Sequence, residues 1–547
     1  MKRIFLPLPV AVVLSFTALS FTALSFTALS FTALPVTVLS QQTPQAKPEA
    51  DAADRYLGQD REKSFSAYVE FITSVHSVSR DGMNRIGVPW EQALEKGRRR
   101  FREARSVDDV YYALLSVQRS LRDGHGRFEK NELPVSFDKA VVLDFEAEVR
   151  YARASGGRHE YVVARSNEPA LPAGSTILGF AGRSVADFEA EMIEWYDRHT
   201  PEGFREFVAR RFSACRPKAM PCPHPGDEVK VSFRDREGVE RIGTLFWRAA
   251  DAGQDGGATA DSSSQAAKEP VEPEPPLQFD FQYRGFPREC AGIFFEIYGT
   301  PAADTKILRY YSFNYENETD FPREIAAIGD HLGKSGARRV LVDVRENRGG
   351  AFEPALIGVF TARPFRIMMK SFYYGARIKA DPEALSRDKR LELWTDDEAK
   401  ILQQDLAANP AATWSKRIPF FCRTADCTEE EADFQFDGSP GYETVVLAGP
   451  STFSSGDMFV SIMKDNGIAR LAGMPSGAGD SPYRWFLDYP LADGTKVTLR
   501  LTTAVSYRPN SDGVTIEGNP APLDHPLYPT RANSGALLDS VLTAVGW

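Results

Sequence analysis

The chain has 547 residues, of which 42% are hydrophobic and 26% charged, with a formal net charge of −10. That length exceeds what a single hydrophobic core serves, so about three globular units are expected. The acidic balance leaves no electrostatic footprint for nucleic acid or for an anionic membrane surface, and excludes nucleic acid as the main partner.

In chain order, Lys2 and Arg3 are followed by no charged residue until Lys47, and four tandem copies of Ser-Phe-Thr-Ala-Leu run from Ser15 to Leu34. A basic start before an apolar run is the pattern of an export signal, and Val38-Leu39-Ser40 supplies small-residue spacing for cleavage. The run is also long enough to span a bilayer, so a cleaved signal and an uncleaved anchor both stay open for residues 1–40. Either way the body is delivered outside the cytoplasm, as a periplasmic, secreted or membrane-anchored protein, and membrane contact is expected only through that segment. Residues 41–54 read as a flexible tether.

Residues 55–132 carry a helical pattern. Ser106-Val-Asp-Asp resembles a capping box, and Val107, Val110, Tyr111, Leu114, Leu115 and Leu121 recur at helical spacing after it. Residues 133–250 change to short strands, including Tyr161-Val-Val-Ala and Val229-Lys-Val-Ser-Phe, and read as a small β-rich module. Residues 251–276 hold almost no apolar side chains and read as a disordered linker. Residues 277–547 alternate strand and helix: Val340-Leu-Val-Asp-Val precedes a glycine turn at Gly349-Gly350, and Val445-Val-Leu-Ala precedes Gly449-Pro-Ser-Thr-Phe-Ser-Ser-Gly and a helix. Strand, glycine turn and helix, repeated, describe an α/β layer fold. Residues 370–441 interrupt it as an inserted helical excursion. Of the five cysteines, Cys215/Cys222 and Cys422/Cys427 form close pairs suited to two local disulfides in an oxidising compartment, leaving Cys290. Their spacing is not that of a zinc or redox motif, and no metal or cofactor is called for.

Two junctions stand out chemically. A helix N-terminus carries unpaired N–H groups and favours negative charge. Ser454-Ser455-Gly456-Asp457 places a hydroxyl at such a junction, and Gly349-Gly350 at the other lets backbone N–H groups approach a ligand. Together they could supply an oxyanion hole from the Ser455 N–H and a Gly349 or Gly350 N–H, although helix capping alone also accounts for the serine. Among seven histidines, His125 in Asp123-Gly-His-Gly follows an amphipathic helix, in a setting suited to a ring aimed into a cleft. Glu517 in Ile516-Glu-Gly-Asn could orient that imidazole. Spacing alone does not join the three.

Asp343-Val-Arg-Glu-Asn-Arg-Gly-Gly resembles the D-x-R-x-N-x-G-G signature of the C-terminal-processing (tail-specific) serine peptidases, which share a core with ClpP and crotonase. Ser454-Ser-Gly-Asp-Met-Phe is similar to that family's nucleophile helix, Leu121-Arg-Asp-Gly-His to its L-x-D-x-H, and Ile516-Glu-Gly-Asn to the start of its closing E-G-x-G-V-x-P-D. Residues 170–188 resemble a PDZ core. The Lys branch of the family places a lysine some two dozen residues after the nucleophile, where this chain has Ser476-Gly-Ala-Gly-Asp. The other branch, typified by the tricorn core protease and the chlamydial protease-like activity factor, uses His and Glu instead, and both positions are filled here.

The resemblance thus implies a ClpP/crotonase-like catalytic domain with an N-terminal helical domain and a PDZ-like β module. It implies a serine endopeptidase acting on exported or envelope polypeptides, with Ser454 as nucleophile, His125 as base and Glu517 as the base's orienter. Asn519-Pro-Ala-Pro-Leu-Asp departs from the family's ending and makes Asp524 the fallback orienter, and the Cys215/Cys222 stretch departs from a plain PDZ groove. The alternatives are a non-catalytic binder of peptide or apolar ligand on the same fold, a crotonase-type acyl-CoA enzyme, and a scaffold that captures chain ends by strand addition.

Overall fold

The computed structural model describes residues 50–77, 89–137, 140–154, 157–250, 283, 285–317, 319–350, 354–393, 395–420, 431–432, 441–530 and 536–547. The apolar repeats of the last block build a seven-stranded sheet in the order Arg288–Ala291, Phe295–Gly299, Thr305–Tyr310, Arg339–Asp343, Glu443–Ala448, Ala469–Gly473, His525–Pro526. The strands from Thr305 onward pair in parallel, and two antiparallel strands extend one edge. Successive residues alternate between two cores, as a strand buried on both faces requires. Val340, Val342 and Val446 pack with the helices Asp320–Lys334 and Ser455–Asp465 on one face. Leu341, Val445 and Leu447 pack with Leu538, Val541 and Leu542 of the helix Leu537–Ala544 on the other.

The second large sheet lies within 141–249 and is antiparallel, with its long central ladders between Ala147–Arg153 and His159–Ser166 and between Glu228–Arg234 and Glu240–Ala249. Both strand segments expected here fall inside it. Cys215 and Cys222 are joined by a disulfide, while Cys290 is free and Cys422/Cys427 lie outside the described residues. The expected signal segment and the linker at 251–276 also lie outside the described residues. No helix among the described residues is long and apolar enough to cross a membrane.

N-terminal to this sheet stand the helices Ala50–Leu57, Arg61–Thr73, Trp90–Glu103 and Val107–Ser120. The first begins inside the stretch read as tether, because Ala53, Tyr56 and Leu57 are buried. The last carries the expected capping box: the Asp109 N–H donates to Ser106 Oγ (3.1 Å) and the Ser106 N–H to Asp109 Oδ2 (3.0 Å).

The last of these helices ends at Ser120, and a strand follows before residue 132. Arg127–Asn131 pairs antiparallel with Lys496–Thr502, which pairs in turn with Arg484–Pro490, so a strand two residues after His125 belongs to a sheet of the last block. One hydrophobic core runs through the N-terminal helices, the antiparallel module and this three-stranded sheet. The excursion after Lys370 holds the helices Ala376–Ala380, Ala384–Arg387 and Asp396–Ala408, and Met369–Phe372 ties it back to Ala504–Tyr507.

Candidate active site

The junction after Glu443–Ala448 turns sharply into the helix Ser455–Asp465, with Ser454 at its N-cap in a left-handed backbone conformation (φ 59°). Non-glycine residues avoid that region, and its cost is met here by surrounding hydrogen bonds. The Ser454 N–H donates to Gly479 O (3.0 Å). Asp457, in the first turn of the helix, accepts the Ala478 and Gly479 N–H groups on its two oxygens (3.1 Å each). Residues 476–480 thus brace the turn that carries Ser454. Burial pushes the Asp457 carboxyl up to about 7, against the hydrogen bonds from Ser476, Gly479 and Ala478.

His125 Nε2 lies 2.9 Å from Ser454 Oγ across 329 residues of chain. The paired strand Arg127–Asn131 is what carries it there. Its ring stacks on Phe453 (centroids 4.7 Å apart), and the Arg198 guanidinium covers Phe453 at 4.1 Å. Burial lowers the imidazole to about 3; Asp123 opposes that fall, and Arg484, Arg500 and Arg198 deepen it. Nδ1 is buried and has no hydrogen-bond partner among the described residues.

Asp123 is buried two residues before His125. Its Oδ1 accepts the His125 N–H (2.9 Å), and its Oδ2 takes His76 Nε2 (3.0 Å) and the Thr502 N–H (3.1 Å). Burial alone would raise its pKa, but the hydrogen bond and charge of His76, then His125, hold it well below the usual carboxylate range.

The Asp-x-Arg-x-Asn motif shapes the facing turn. Asp343 accepts from Arg345 Nε (2.7 Å) and from the Tyr283 hydroxyl (2.5 Å). Asn347 Oδ1 accepts the Gly349 N–H (2.9 Å), and Asn347 O accepts the Phe453 N–H (3.0 Å). Gly349 (φ 96°) abuts Ser454 so closely that a Cβ there would stand 2.7 Å from Ser454 Cβ and 2.8 Å from Ser455 N. The Gly349 N–H is engaged by Asn347, whereas neither the Ser455 nor the Gly350 N–H has a hydrogen bond to a described residue.

Glu517 is buried beside the same brace: Gly518 N–H donates to Ala478 O (2.7 Å), and Asp480 N–H to Glu517 Oε2 (2.7 Å). Its Oε1 lies 2.9 Å from Nε2 of His199, a residue of the antiparallel module. The structure therefore joins Ser454 to His125, places Gly349 against Ser454 and Gly350 against Ser455, and sets Glu517 one loop away on a different histidine. Asp524, the fallback orienter, is instead bound to Lys464 (2.5 Å) and the Leu471 N–H (2.7 Å). Burial, with the Glu517 charge adding to it, raises Asp480 to about 7. Sequence reasoning missed His76, Asp123, Asp457, Asp480 and His199. Asp123 and Asp457 sit inside motifs already noticed; His199 carries no sequence signal at all. Among the described residues no group of His, Cys, Asp or Glu could hold a metal ion.

Residues 304–520 match the model of peptidase family S41, a span that contains Gly349, Gly350, Ser454, Ser455 and Glu517 but not His125. Comparison with curated proteins finds no match. Among solved structures the chain is similar to mature CPAF, with a TM-score of 0.64, 16% identity and coverage of 89% of this chain and 96% of that one. It is equally similar to mature CPAF complexed with lactacystin, with a TM-score of 0.64, 17% identity and coverage of 89% and 98%. At those identities the likeness establishes the fold. Likeness to the photosystem II D1 C-terminal processing protease, with a TM-score of 0.36, 14% identity and coverage of 86% and 93%, carries no further argument. With a family S41 domain on a CPAF-like mixed α/β fold, the chain is a serine peptidase.

Proposed function

We propose that Ser454 attacks the peptide carbonyl while His125 takes its proton, and that the oxyanion is received by the Ser455 and Gly350 N–H groups. The observation that carries the reading is the 2.9 Å contact between His125 Nε2 and a serine hydroxyl held at a helix N-terminus. Gly349, whose N–H is taken by Asn347, is assigned the close approach rather than the donation.

An imidazole held at about 3 is a weak base, and the proton of Ser454 can rest on it only if an anion meets the opposite nitrogen. Nδ1 is the partnerless atom, and Glu517 is the carboxylate beside the brace. We assign Glu517 as the third member of the triad, reaching Nδ1 when its Oε1 leaves His199. Asp123 fixes the base's main chain and favours the imidazolium electrostatically. The antiparallel module is read as a PDZ-like unit and the N-terminal helices as a helical subdomain packed against it through the shared core. The Cys215–Cys222 disulfide supports a place in an oxidising compartment outside the cytoplasm, where exported polypeptides would be the substrates within reach.

Ser454→Ala is expected to abolish peptide cleavage and labelling by a fluorophosphonate while leaving the fold intact. Retained cleavage would sink the reading. Glu517→Gln should lower kcat on the order of 10³-fold. A variant with unchanged kcat would move the orienting role to Asp123 alone.

A further inference from the structure

The carboxylate two residues before His125 is held from three directions. Asp123 Oδ1 accepts the His125 N–H (2.9 Å), a local turn that lasts only while the carboxylate itself stays in place. Its other oxygen, Oδ2, accepts the Thr502 N–H (3.1 Å) and faces Nε2 of His76 at 3.0 Å, across 47 residues of chain. Both partners of that last contact are buried, the His76 side chain to 1% exposure and that of Asp123 to 2%. His76 follows the helix Arg61–Thr73, and its own N–H donates to Ile72 O (3.0 Å). The next residue fastens it to the strands Lys496–Thr502 and Ala504–Tyr507: the Ser77 N–H donates to Thr502 O (2.9 Å) and its hydroxyl to Ala504 O (3.0 Å). Gly126 packs against the same carboxylate, since a Cβ there would stand 2.6 Å from Asp123 Oδ2.

The paired strand Arg127–Asn131 secures the chain after His125, and Asp123 secures it before. A buried carboxylate keeps its charge and its place only where donors meet it. Burial would raise Asp123, and the His76 hydrogen bond is the strongest influence against that rise. An ionised carboxylate only accepts, so Nε2 of His76 carries the proton between them. The Thr502 donor belongs to the backbone, which leaves His76 as the side chain that fixes Oδ2. Building on the assignment of His125 as the base, we propose that His76 is a positioning residue of the peptidase reaction: it anchors Asp123, and Asp123 anchors the main chain that carries the imidazole to Ser454. Such a residue acts on kcat, because a shift of the base slows proton transfer without altering how the peptide is held.

The test measures kcat and KM on a fluorogenic peptide, and the rate of fluorophosphonate labelling, in the full chain. His76→Leu is expected to lower kcat and labelling by roughly 10- to 100-fold, with KM within about threefold of wild type. His76→Gln, whose amide N–H reaches about as far as Nε2, should restore most of that loss; His76→Asn, which is too short, should not. In a chain already carrying Asp123→Asn, adding His76→Leu should cost no more than about twofold further, because the two act as one unit. Phe65→Leu loosens the packing of the same helix and leaves the donor in place. It should lower the thermal midpoint while kcat stays unchanged. Where His76→Leu does not fold, the Gln and Asn variants decide. Unchanged kcat in His76→Leu, a change confined to KM, equal rates in the Gln and Asn variants, losses that add in full across Asp123→Asn, or an equal fall in Phe65→Leu overturns the proposal. The assignment of His125 fails separately, by fluorophosphonate labelling that survives His125→Ala.

Discussion

Gly479→Ala isolates the geometry on which the site depends. A Cβ at residue 479 would stand 1.7 Å from Cε2 and 2.3 Å from Cζ of Phe453, where ordinary contact is 3.4–4 Å. The ring cannot yield easily, because His125 is stacked on it at 4.7 Å and the Arg198 guanidinium lies at 4.1 Å. Gly124 leaves no slack either: a Cβ built there lies 2.5 Å from Phe453 Cζ. Either the ring or the brace must therefore move by roughly 1.5 Å, taking His125 or the Gly479 carbonyl bonded to Ser454 with it. A misplacement of about 1 Å costs on the order of 10²-fold in rate, while overpacking of this kind costs about 1–3 kcal/mol of stability. We expect kcat/KM on a fluorogenic peptide and the rate of fluorophosphonate labelling to fall together by about 10²-fold, with a thermal midpoint lower by only a few degrees. Phe453→Leu in the same chain should recover part of the midpoint by making room. A Gly479→Ala enzyme that labels and turns over like wild type would refute the stacking argument.

Three other outcomes follow from the same coordinates. Asp457 and Asp480, raised by burial to about 7, bind protons in the folded state that the unfolded chain releases near pH 4, so they favour folding at acid pH and that stability is lost as pH rises through 7. His125, lowered to about 3, works oppositely between pH 3 and 6.5. Asp457→Asn removes one proton-binding group, so between pH 4 and 7 its stability relative to wild type should improve by about 1.4 kcal/mol per pH unit. Denaturant melts across that range check it, and a constant difference would contradict the placement of Asp457. His199→Gln frees Glu517 Oε1 from a 2.9 Å ion-pair contact and should change kcat and its pH profile rather than KM; an altered KM alone would mark His199 as structural. Lys370 and Glu398 form a fully buried pair at 2.5 Å. Lys370→Met should cost about 3–5 kcal/mol by taking the buried cation from Glu398, whereas adding Glu398→Leu should restore most of it. Chemical denaturation of the single and double variants decides it.

What could be read from the sequence was what local chemistry encodes. Val340–Val344 and Val445–Ala448 announce buried strands by unbroken apolar runs, Ser106 and Asp109 announce a helix start, and Gly349-Gly350 and Ser454 mark turns where few other residues fit. The motif resemblance joined Ser454 to His125 before any geometry was known. Tertiary structure alone decided how the acids are shared. Asp123 holds the His125 N–H, with His76 behind it, while Glu517 sits on His199 and the Asp480 N–H. Such pairings depend on which carboxylate is buried beside which donor, and burial is set by a core shared among segments hundreds of residues apart. The boundary after His125 was illegible for the same reason: Arg127–Asn131 is a strand only because Lys496–Thr502 lies alongside to accept its hydrogen bonds.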